Sequence, residues 1–227
     1  NGSGKTTTVN QITGAFPPTE GEIYYKGTCT THMQPYQIAR LGISSTFHNL
    51  KLFTSLSVLE NFMVGGHQMT KMGILNFLIN PVKAKQEEAQ LLERAEEVLE
   101  YIGLKDLRDT NVKNLPYGKQ KMTEFGRALM MKPELLILDE PAAGLNPTER
   151  KAFVDIILKT FDTGIDIFLI EHNMDVVMNI CTDITVLNFG AKIAEGSPYD
   201  IQNNDEVIKA YLGDKYKPIM AVKKEVL

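Results

Sequence analysis

The first residues of this 227-residue chain are the ones best suited to bind an anion. Asn1-Gly2-Ser3-Gly4-Lys5-Thr6 matches the later part of a phosphate-binding loop, whose full pattern is Gly, four residues and then Gly-Lys-Ser/Thr. Glycines let backbone N–H groups crowd around an anion, and the positive end of the following helix lies behind them. A lysine in this place reaches the β- and γ-phosphates of a nucleotide, and the threonine hydroxyl binds Mg²⁺.

The first glycine of that pattern falls before residue 1. We therefore expect the sequence to be a fragment, in which one or two strands precede Asn1 in the intact protein. An aromatic residue that stacks on the nucleotide base would then lie in the preceding segment. Taken alone, the same residues also fit a flexible Gly/Ser terminus with a chance Lys-Thr pair.

Two carboxylates follow an apolar run in the second half of the chain. Residues 135–138 are continuously apolar, as in a strand buried on both faces of a parallel sheet, and Asp139 and Glu140 come directly after it. Ligands of open α/β sheets bind at the carboxyl ends of the strands. Asp139 suits the Mg²⁺ shell of a bound nucleotide, and Glu140 can polarise an attacking water. By itself the pattern also fits a strand that ends in a solvated acidic turn.

Two further segments are less specific. Residues 165–170 form another apolar run that leads to Glu171 and His172, and the histidine could meet a γ-phosphate, although a lone histidine is usually structural. Residues 115–120 precede a helix predicted over 121–131. Gly118 allows a close backbone approach there, so the segment fits either a second anion site or an ordinary helix start.

Strand and helix patterns alternate at both ends of the chain, as in a layered α/β fold. In residues 1–47 the predicted elements are a helix over 6–13, a strand over 22–27, a short helix over 35–41 and a strand over 43–47. In residues 128–213 they are strands over 135–138, 165–170, 183–188 and 192–195, with helices over 147–161, 173–181 and 207–212. Residues 214–227 are predicted to be a loose polar tail.

Residues 48–127 differ, because strand signals vanish and helical periodicity takes over. A helical piece is predicted over 58–63 and a long amphipathic helix over 83–102. Leu91, Leu92, Val98 and Leu99 belong to its apolar face, whereas its glutamates lie mostly outside that face. We therefore predict an all-helical insertion whose acidic run is a solvated surface rather than a binding site.

Composition excludes some classes of function. The net charge is −4, so no overall basic field suggests a nucleic-acid partner. Cys29 and Cys181 are far apart and lack a Cys-x-x-Cys partner, which fits free thiols in a reducing compartment. No apolar run approaches the roughly 18 residues of a membrane span, although the chain can dock on a membrane protein.

Taken together, these segments resemble the ATP-binding subunits of ABC transporters. The resemblance covers nearly the whole chain and rests on the cut phosphate loop, the helical insertion, and the segments LPYGKQ (115–120), LLILDEP (135–141), AAGLNP (142–147) and LIEH (169–172). The chain looks most like the branched-chain amino-acid uptake branch, on residues 115–120, 142–147, 170–174 and 207–213. The resemblance implies an α/β fold, a P-loop NTPase ABC ATPase core with an inserted all-helical subdomain that carries the signature motif.

The family's roles carry over position by position as implications of the resemblance. Asp139 corresponds to the Mg²⁺-associated carboxylate, Glu140 to the general base for water, and His172 to the switch histidine near the γ-phosphate. Gly144-Leu145-Asn146 corresponds to the loop that crosses the dimer interface. In the family's phosphate loop, Lys5 is also catalytic and Thr6 binds Mg²⁺. That loop corresponds to Asn1, Gly2, Ser3, Gly4, Lys5, Thr6 and Thr7. The signature that contacts ATP bound to the opposite subunit corresponds to Leu115, Pro116, Tyr117, Gly118, Lys119 and Gln120.

Some positions depart from the family pattern. His48 stands where a glutamine usually links the Mg²⁺ site to the helical subdomain, and we retain it as a nucleotide-binding and metal-binding candidate, although imidazole is shorter in reach and titrates near neutral pH. Pro116 stands where serine is usual, so that a hydroxyl and an N–H are both lost. Lys119 replaces the usual Gln, and Asn146 the usual Asp. These changes bear on rate and coupling rather than on the fold.

The resemblance implies an ATPase that uses ATP and Mg²⁺ to energise an importer, most specifically for branched-chain amino acids. It implies two ATPs sandwiched between this subunit and a second ABC ATPase subunit, with transmembrane permease subunits and, indirectly, a solute-binding protein as partners. Such a subunit lies on the cytoplasmic face of the cell membrane, and no nucleic-acid partner is expected.

Three alternatives stay open. The first is an ABC ATPase for another solute such as urea, or an exporter ATPase. The second is a nucleotide-binding regulatory module with weak hydrolysis, which His48 and Pro116 motivate. The third is a soluble ABC protein of DNA repair or translation, although such proteins usually bring long coiled coils, tandem cassettes or a basic surface, none of which the sequence shows.

Overall fold

A computed structural model describes residues 2–46, 50–67 and 81–212 of the chain. The predictions at Asn1, at His48 and over 214–227 lie outside the described residues. The chain divides into two compact units, and each is described by itself. One spans Val9–Asn173, and the other joins the chain up to Thr8 to the segment from Met174 onward. The predicted domain borders after residues 47, 127 and 213 stay predictions.

The larger unit contains the parallel sheet and the long helices. Helix α1 (Lys5–Ile12) leads into it. In chain order there follow strands β1 (Tyr24–Tyr25) and β2 (Thr28–Cys29), helix α2 (Pro35–Arg40), strand β3 (Ile43–Ser45), helices α3 (Val58–Gly65), α4 (Pro81–Tyr101) and α5 (Tyr117–Leu129), strand β4 (Leu135–Asp139), helix α6 (Pro147–Phe161) and strand β5 (Asp166–Ile170).

The single strand predicted over 22–27 is instead a hairpin. Tyr25 pairs with Thr28, and Lys26 and Gly27 form the two-residue turn between β1 and β2. Both turn residues have left-handed φ values, of 48° and 79°, as a type I′ turn requires. Lysine is not a residue that signals such a turn, and the prediction therefore extended the strand through it.

The sheet of the larger unit has the order β3-β4-β5, and all its strand pairs are parallel. In β4, Leu136, Ile137 and Leu138 are fully buried, as the continuous apolar run predicts. The prediction that β5 is equally buried is wrong, because its residues alternate in exposure and Phe168 is 41% exposed. Among the described strands β5 pairs only with β4, so one of its edges has no strand partner there.

The helices follow their sequence signals closely. In α4, Ala95, Val98 and Leu99 are buried and most of the glutamates are exposed, which confirms the predicted amphipathic helix, although Leu92 lies on the exposed side. Helix α6 begins and ends where it was predicted. Its first residue is a proline, and the Asn146 side chain accepts a hydrogen bond from the Glu149 N–H at 2.9 Å.

The smaller unit has its own core. After helix α7 (Met174–Ile180), strands β6 (Ile184–Asn188) and β7 (Ala191–Gly196) form an antiparallel hairpin, as predicted. Helix α9 (Asp205–Leu212) begins two residues earlier than predicted. Helix α8 (Pro198–Gln202) was missed, although Ser197 and Asp200 form a capping box around a leading proline. The core of this unit consists of Val177, Ile184, Ile201 and Val207.

No helix in the described part of the chain has the length and apolar composition that crossing a bilayer requires.

The burial of β4 gives a test of the fold. Replacing Leu136 by alanine should destabilise the protein by about 2–5 kcal/mol, because it leaves a cavity in the buried strand. The matched change Leu158→Ala, on an exposed position of α6, should cost less than about 1 kcal/mol. Urea denaturation of both variants measures the difference. Equal losses would contradict the observed burial.

Candidate functional site

The turn after β4 holds the predicted Mg²⁺ ligand and the predicted base. Asp139 ends the strand, is almost fully buried, and its N–H donates to the Thr46 hydroxyl at 3.3 Å. Glu140 follows with a left-handed φ of 47°, a conformation that costs a non-glycine residue roughly 1–2 kcal/mol. Two hydrogen bonds hold it: its N–H donates to the Ile170 carbonyl at 2.9 Å, and its carbonyl accepts from the Ala143 N–H at 3.2 Å.

The predicted switch histidine lies beside this turn. Because Asp139 is in register with Ile170, the residues that follow the two strands reach the same edge of the sheet. Glu140 Oε1 and His172 Nδ1 are 3.4 Å apart, and the Glu140 side chain is 17% exposed while that of His172 is 63% exposed. The structure thus brings the predicted base and the predicted histidine together, with the imidazole facing solvent.

Glu171 connects the surrounding loops, although no role was predicted for it. Its Oε1 accepts a hydrogen bond from the Ala142 N–H at 3.0 Å, while its Oε2 accepts from the N–H groups of His172 at 3.1 Å and Asn173 at 3.3 Å. One carboxylate therefore joins the turn after β4 to the loop after β5. A charged residue directly after a buried strand was the only signal that could have revealed this role.

The predicted signature segment lies largely on a helix. Helix α5 begins at Tyr117 rather than at Lys121, and Pro116 occupies the N-cap without a side-chain hydrogen bond. The Pro116 carbonyl accepts from the N–H groups of Lys119 at 2.9 Å and Gln120 at 3.0 Å. Proline is tolerated at the start of a helix, because the first N–H groups have no partner within the helix. The helix prediction over 121–131 was therefore four residues late at its start.

The individual side chains of that segment differ in environment. Leu115 is buried and packs in the core, and its carbonyl accepts from Gln120 Nε2 at 2.9 Å. Tyr117 and Lys119 are exposed. Gly118 packs against helix α6, since a Cβ built on it would lie 2.6 Å from Glu149 Oε1. Contacts with a nucleotide on an opposite subunit stay a prediction for all six residues.

The predicted interface loop packs on this segment within the same unit. Gly144 has a φ of 77°, and a Cβ built on it would lie 2.8 Å from Tyr117 Cε1. The loop then ends at Asn146, which caps α6. The position of Gly144 therefore depends on both its left-handed backbone and the absence of a side chain.

A buried lysine on α5 is a second residue that the sequence analysis missed. Lys121 is 3% exposed, and its Nζ donates to the Glu140 carbonyl at 3.4 Å. Burial lowers its pKa, and the carboxylates of Glu124, Asp139, Glu171 and Glu140 oppose that effect. Its place next to the signature gave no sign of this contact, because residues 119–121 read as an ordinary polar helix start.

The predicted phosphate loop belongs to the smaller unit. Gly2 and Gly4 have left-handed φ values of 80° and 90°, which side chains disfavour. Lys5 Nζ donates to the Ser3 hydroxyl at 2.9 Å, and the Ser3 carbonyl accepts from the Gly190 N–H at 3.2 Å. Helix α1 begins at Lys5, and Thr6 and Thr7 are exposed in its first turn. This is the geometry of a glycine-rich loop at a helix N-terminus, as predicted.

The donors predicted for Mg²⁺ are of the right chemical kind. The Asp139 carboxylate and the Thr6 hydroxyl are hard oxygen ligands, and Mg²⁺ in nucleotide sites takes only one or two protein ligands besides water and phosphate oxygens. Among the described residues no group of three or more His, Cys, Asp or Glu side chains could hold a metal ion.

The chain matches two family models. One, described as "ABC transporter", matches residues 1–143, and the other, described as "Branched-chain amino acid ATP-binding cassette transporter", matches residues 191–217. The chain is 40% identical over 215 residues to the high-affinity branched-chain amino acid transport ATP-binding protein LivG of Escherichia coli K12, covering 94% of this chain and 84% of the relative. It is 38% identical over 215 residues to BraF of Pseudomonas aeruginosa, with the same coverage.

A solved structure agrees with these sequence matches. A nucleotide-free ATP-binding cassette from an ABC transporter superposes with a TM-score of 0.80 at 31% identity, covering 94% of this chain and 85% of that one. The chain therefore belongs to the ABC transporter family. The predicted fold class and the predicted resemblance to the branched-chain branch are both confirmed. Its domain is homologous to nucleotide-binding ATPase cassettes, a class of subunits that work with membrane permeases.

The contact between Gly144 and Tyr117 can be tested by substitution. Gly144→Ala should destabilise the protein by more than the roughly 1–2 kcal/mol expected for a left-handed alanine, because the added Cβ also collides with the Tyr117 ring. Gly103→Ala is the matched control, since Gly103 has a φ of 70° and open space around its Cβ position. Thermal unfolding compares the two. A Gly144→Ala loss no larger than that of Gly103→Ala would show that the ring does not restrict the loop.

Proposed function

We propose that the chain is the ATP-hydrolysing subunit of an importer for branched-chain amino acids. The observation that carries the hydrolytic part is that the carboxyl ends of β4 and β5 lie side by side, so that Asp139 and Glu140 at the end of β4 meet His172 after β5, with Glu140 Oε1 3.4 Å from the imidazole. The solute is inferred from the relatives, two of which are named for branched-chain amino acid transport.

The proposed reaction is in-line attack of water on the γ-phosphoryl group of ATP, which yields ADP and phosphate. Glu140 accepts the proton of the attacking water, and its low exposure keeps the carboxylate in one place. The exposed imidazole of His172 is free to contact the γ-phosphate. The backbone N–H groups of the glycine loop and the Lys5 ammonium bind the phosphates and balance their charge.

Asp139 and Thr6 are the proposed Mg²⁺ ligands. When bound, Mg²⁺ neutralises charge on the phosphate oxygens. Of the two, Asp139 is almost fully buried at the end of β4, whereas Thr6 is exposed in the first turn of α1.

The proposed partners are a second ABC ATPase subunit, permease subunits and, through them, a solute-binding protein. In the head-to-tail pair, the first turn of α5 on one subunit would contact ATP bound to the other. Gly118 is the proposed backbone donor in that turn, since Pro116 supplies neither an N–H nor a hydroxyl. The subunit is then peripheral, on the cytoplasmic face of the membrane.

Removing the proposed base should separate ATP binding from hydrolysis. In the full-length protein, Glu140→Gln should lower the hydrolysis rate by about 10²- to 10⁴-fold while ATP still binds, because the amide cannot accept the proton of water. Trapped ATP should also shift the variant to a dimer on a sizing column. Glu93→Gln, on the exposed face of α4, is the matched control and should match the wild type.

Wild-type hydrolysis by Glu140→Gln would contradict its role as the base. A variant that binds ATP but stays monomeric would show that the signature does not work in a homodimer, so that a different cassette or the permease must complete the site.

The solute can be tested with the transporter purified from its native membrane through a tag on this subunit. In proteoliposomes loaded with ATP, we expect accumulation of radiolabelled leucine or isoleucine, and none when the subunit carries Glu140→Gln. Since one pocket contact discriminates solutes by roughly 10- to 200-fold, uptake of urea should be negligible. Transport of urea in place of leucine would contradict the proposed solute and leave the ATPase assignment intact.

A further inference from the structure

Lys121 is a buried lysine that neither the family resemblance nor the proposed reaction uses. It lies on α5, one turn after Tyr117, and only 3% of it is exposed. Burying an ammonium group is unfavourable unless hydrogen bonds and opposite charges compensate for the lost water. The contacts of Lys121 therefore show what the chain gains by placing a cation there.

The ammonium lies between the signature helix and the turn after β4. Its Nζ donates to the Glu140 carbonyl at 3.4 Å and lies 5.9 Å from the centre of the Tyr117 ring. The charged groups that face it are Glu124 on its own helix, Asp139 and Glu140 at the end of β4, and Glu171 after β5. Their charges oppose the effect of burial, which by itself lowers the pKa of Lys121.

The carbonyl that Lys121 contacts belongs to a strained residue. Glu140 has a φ of 47°, and Pro141 follows it, so that the proline ring further restricts the backbone of Glu140. A residue in such a conformation persists only when its surroundings hold it. The Ala143 N–H and the Lys121 ammonium both contact the Glu140 carbonyl.

We propose that Lys121 is a positioning residue for ATP hydrolysis, whose ammonium holds the Glu140 carbonyl and so keeps the left-handed turn that directs the Glu140 carboxylate toward His172. The inference rests on the proposed role of Glu140 as the base. In this proposal, Lys121 connects the helix that begins with the signature to the base of the same subunit. The structural alternative is that Lys121 only balances the buried charge of Glu124.

The test combines Lys121 variants with the Glu140→Gln background. Lys121→Met in the full-length protein should lower kcat by about tenfold and leave the affinity for a fluorescent ATP analogue unchanged, because only the base is misplaced. Lys121→Arg keeps a charged donor and should restore most of the rate. In the Glu140→Gln background, Lys121→Met should leave the residual single-turnover rate unchanged, since the group that it positions is already absent. Lys151→Met, on an exposed position of α6, is the control.

Other results would overturn the inference, and a second neutral variant covers the case in which the first fails to fold. A wild-type kcat in Lys121→Met, or an equal loss in both backgrounds, overturns the role of Lys121 and leaves Glu140 as the base. A wild-type protein that binds ATP without hydrolysing it overturns the proposed function, and the inference falls with it. If Lys121→Met fails to fold, Lys121→Leu, which also lacks a donor, takes its place in the same cycle. If both neutral variants unfold, Lys121 is a folding residue only.

Discussion

The left-handed turn at Glu140 is the constraint on which the candidate site depends. A parallel strand as buried as β4 can present carboxylates only where it ends, so Asp139 is its last residue and Glu140 follows directly after it. The turn that achieves this stores strain of roughly 1–3 kcal/mol. Hydrogen bonds from both sides offset the strain, since the Glu140 N–H bonds the Ile170 carbonyl and the Glu171 carboxylate holds the Ala142 N–H.

Helix α5 places charges where a helix of its burial usually carries apolar side chains. Glu124 is 2% exposed, and its Oε1 accepts from the Lys51 N–H at 3.1 Å, while Arg127 donates to the Lys51 carbonyl. Lys121, one turn earlier, contacts the Glu140 carbonyl. Buried charges give little net stability, but they hold polar backbone groups that leucine cannot. At a spacing of three residues, they fix two separate loops to one helix.

Helices and strands with strong local sequence signals could be predicted from the sequence. Features that depend on contacts with residues distant in the sequence could not. The apolar run of β4 is enough to predict a buried strand, and the capping residues before α6 are enough to predict where that helix begins. The exposure of β5 depends on which strands lie beside it. The Lys26-Gly27 turn depends on the pairing of β1 with β2, which the sequence of either strand alone does not reveal. The motif residues Glu140 and His172 were found from their positions after strands, but the roles of Glu171 and Lys121 depend on long-range contacts with backbone atoms, which leave no spacing pattern.

The departures from the family pattern differ in what they change. Asn146 caps α6 through the same hydrogen bond that an aspartate would make, and the two residues cap helices about equally well, so the local fold is unaffected. Only the charge of the loop differs. Pro116 occupies the N-cap of α5 without a side-chain hydrogen bond, so the cap that a serine could make to the first turn, worth about 1 kcal/mol, is absent. Asn146 therefore changes the charge of its loop and not the local fold, whereas Pro116 changes which hydrogen-bonding groups the start of α5 can offer.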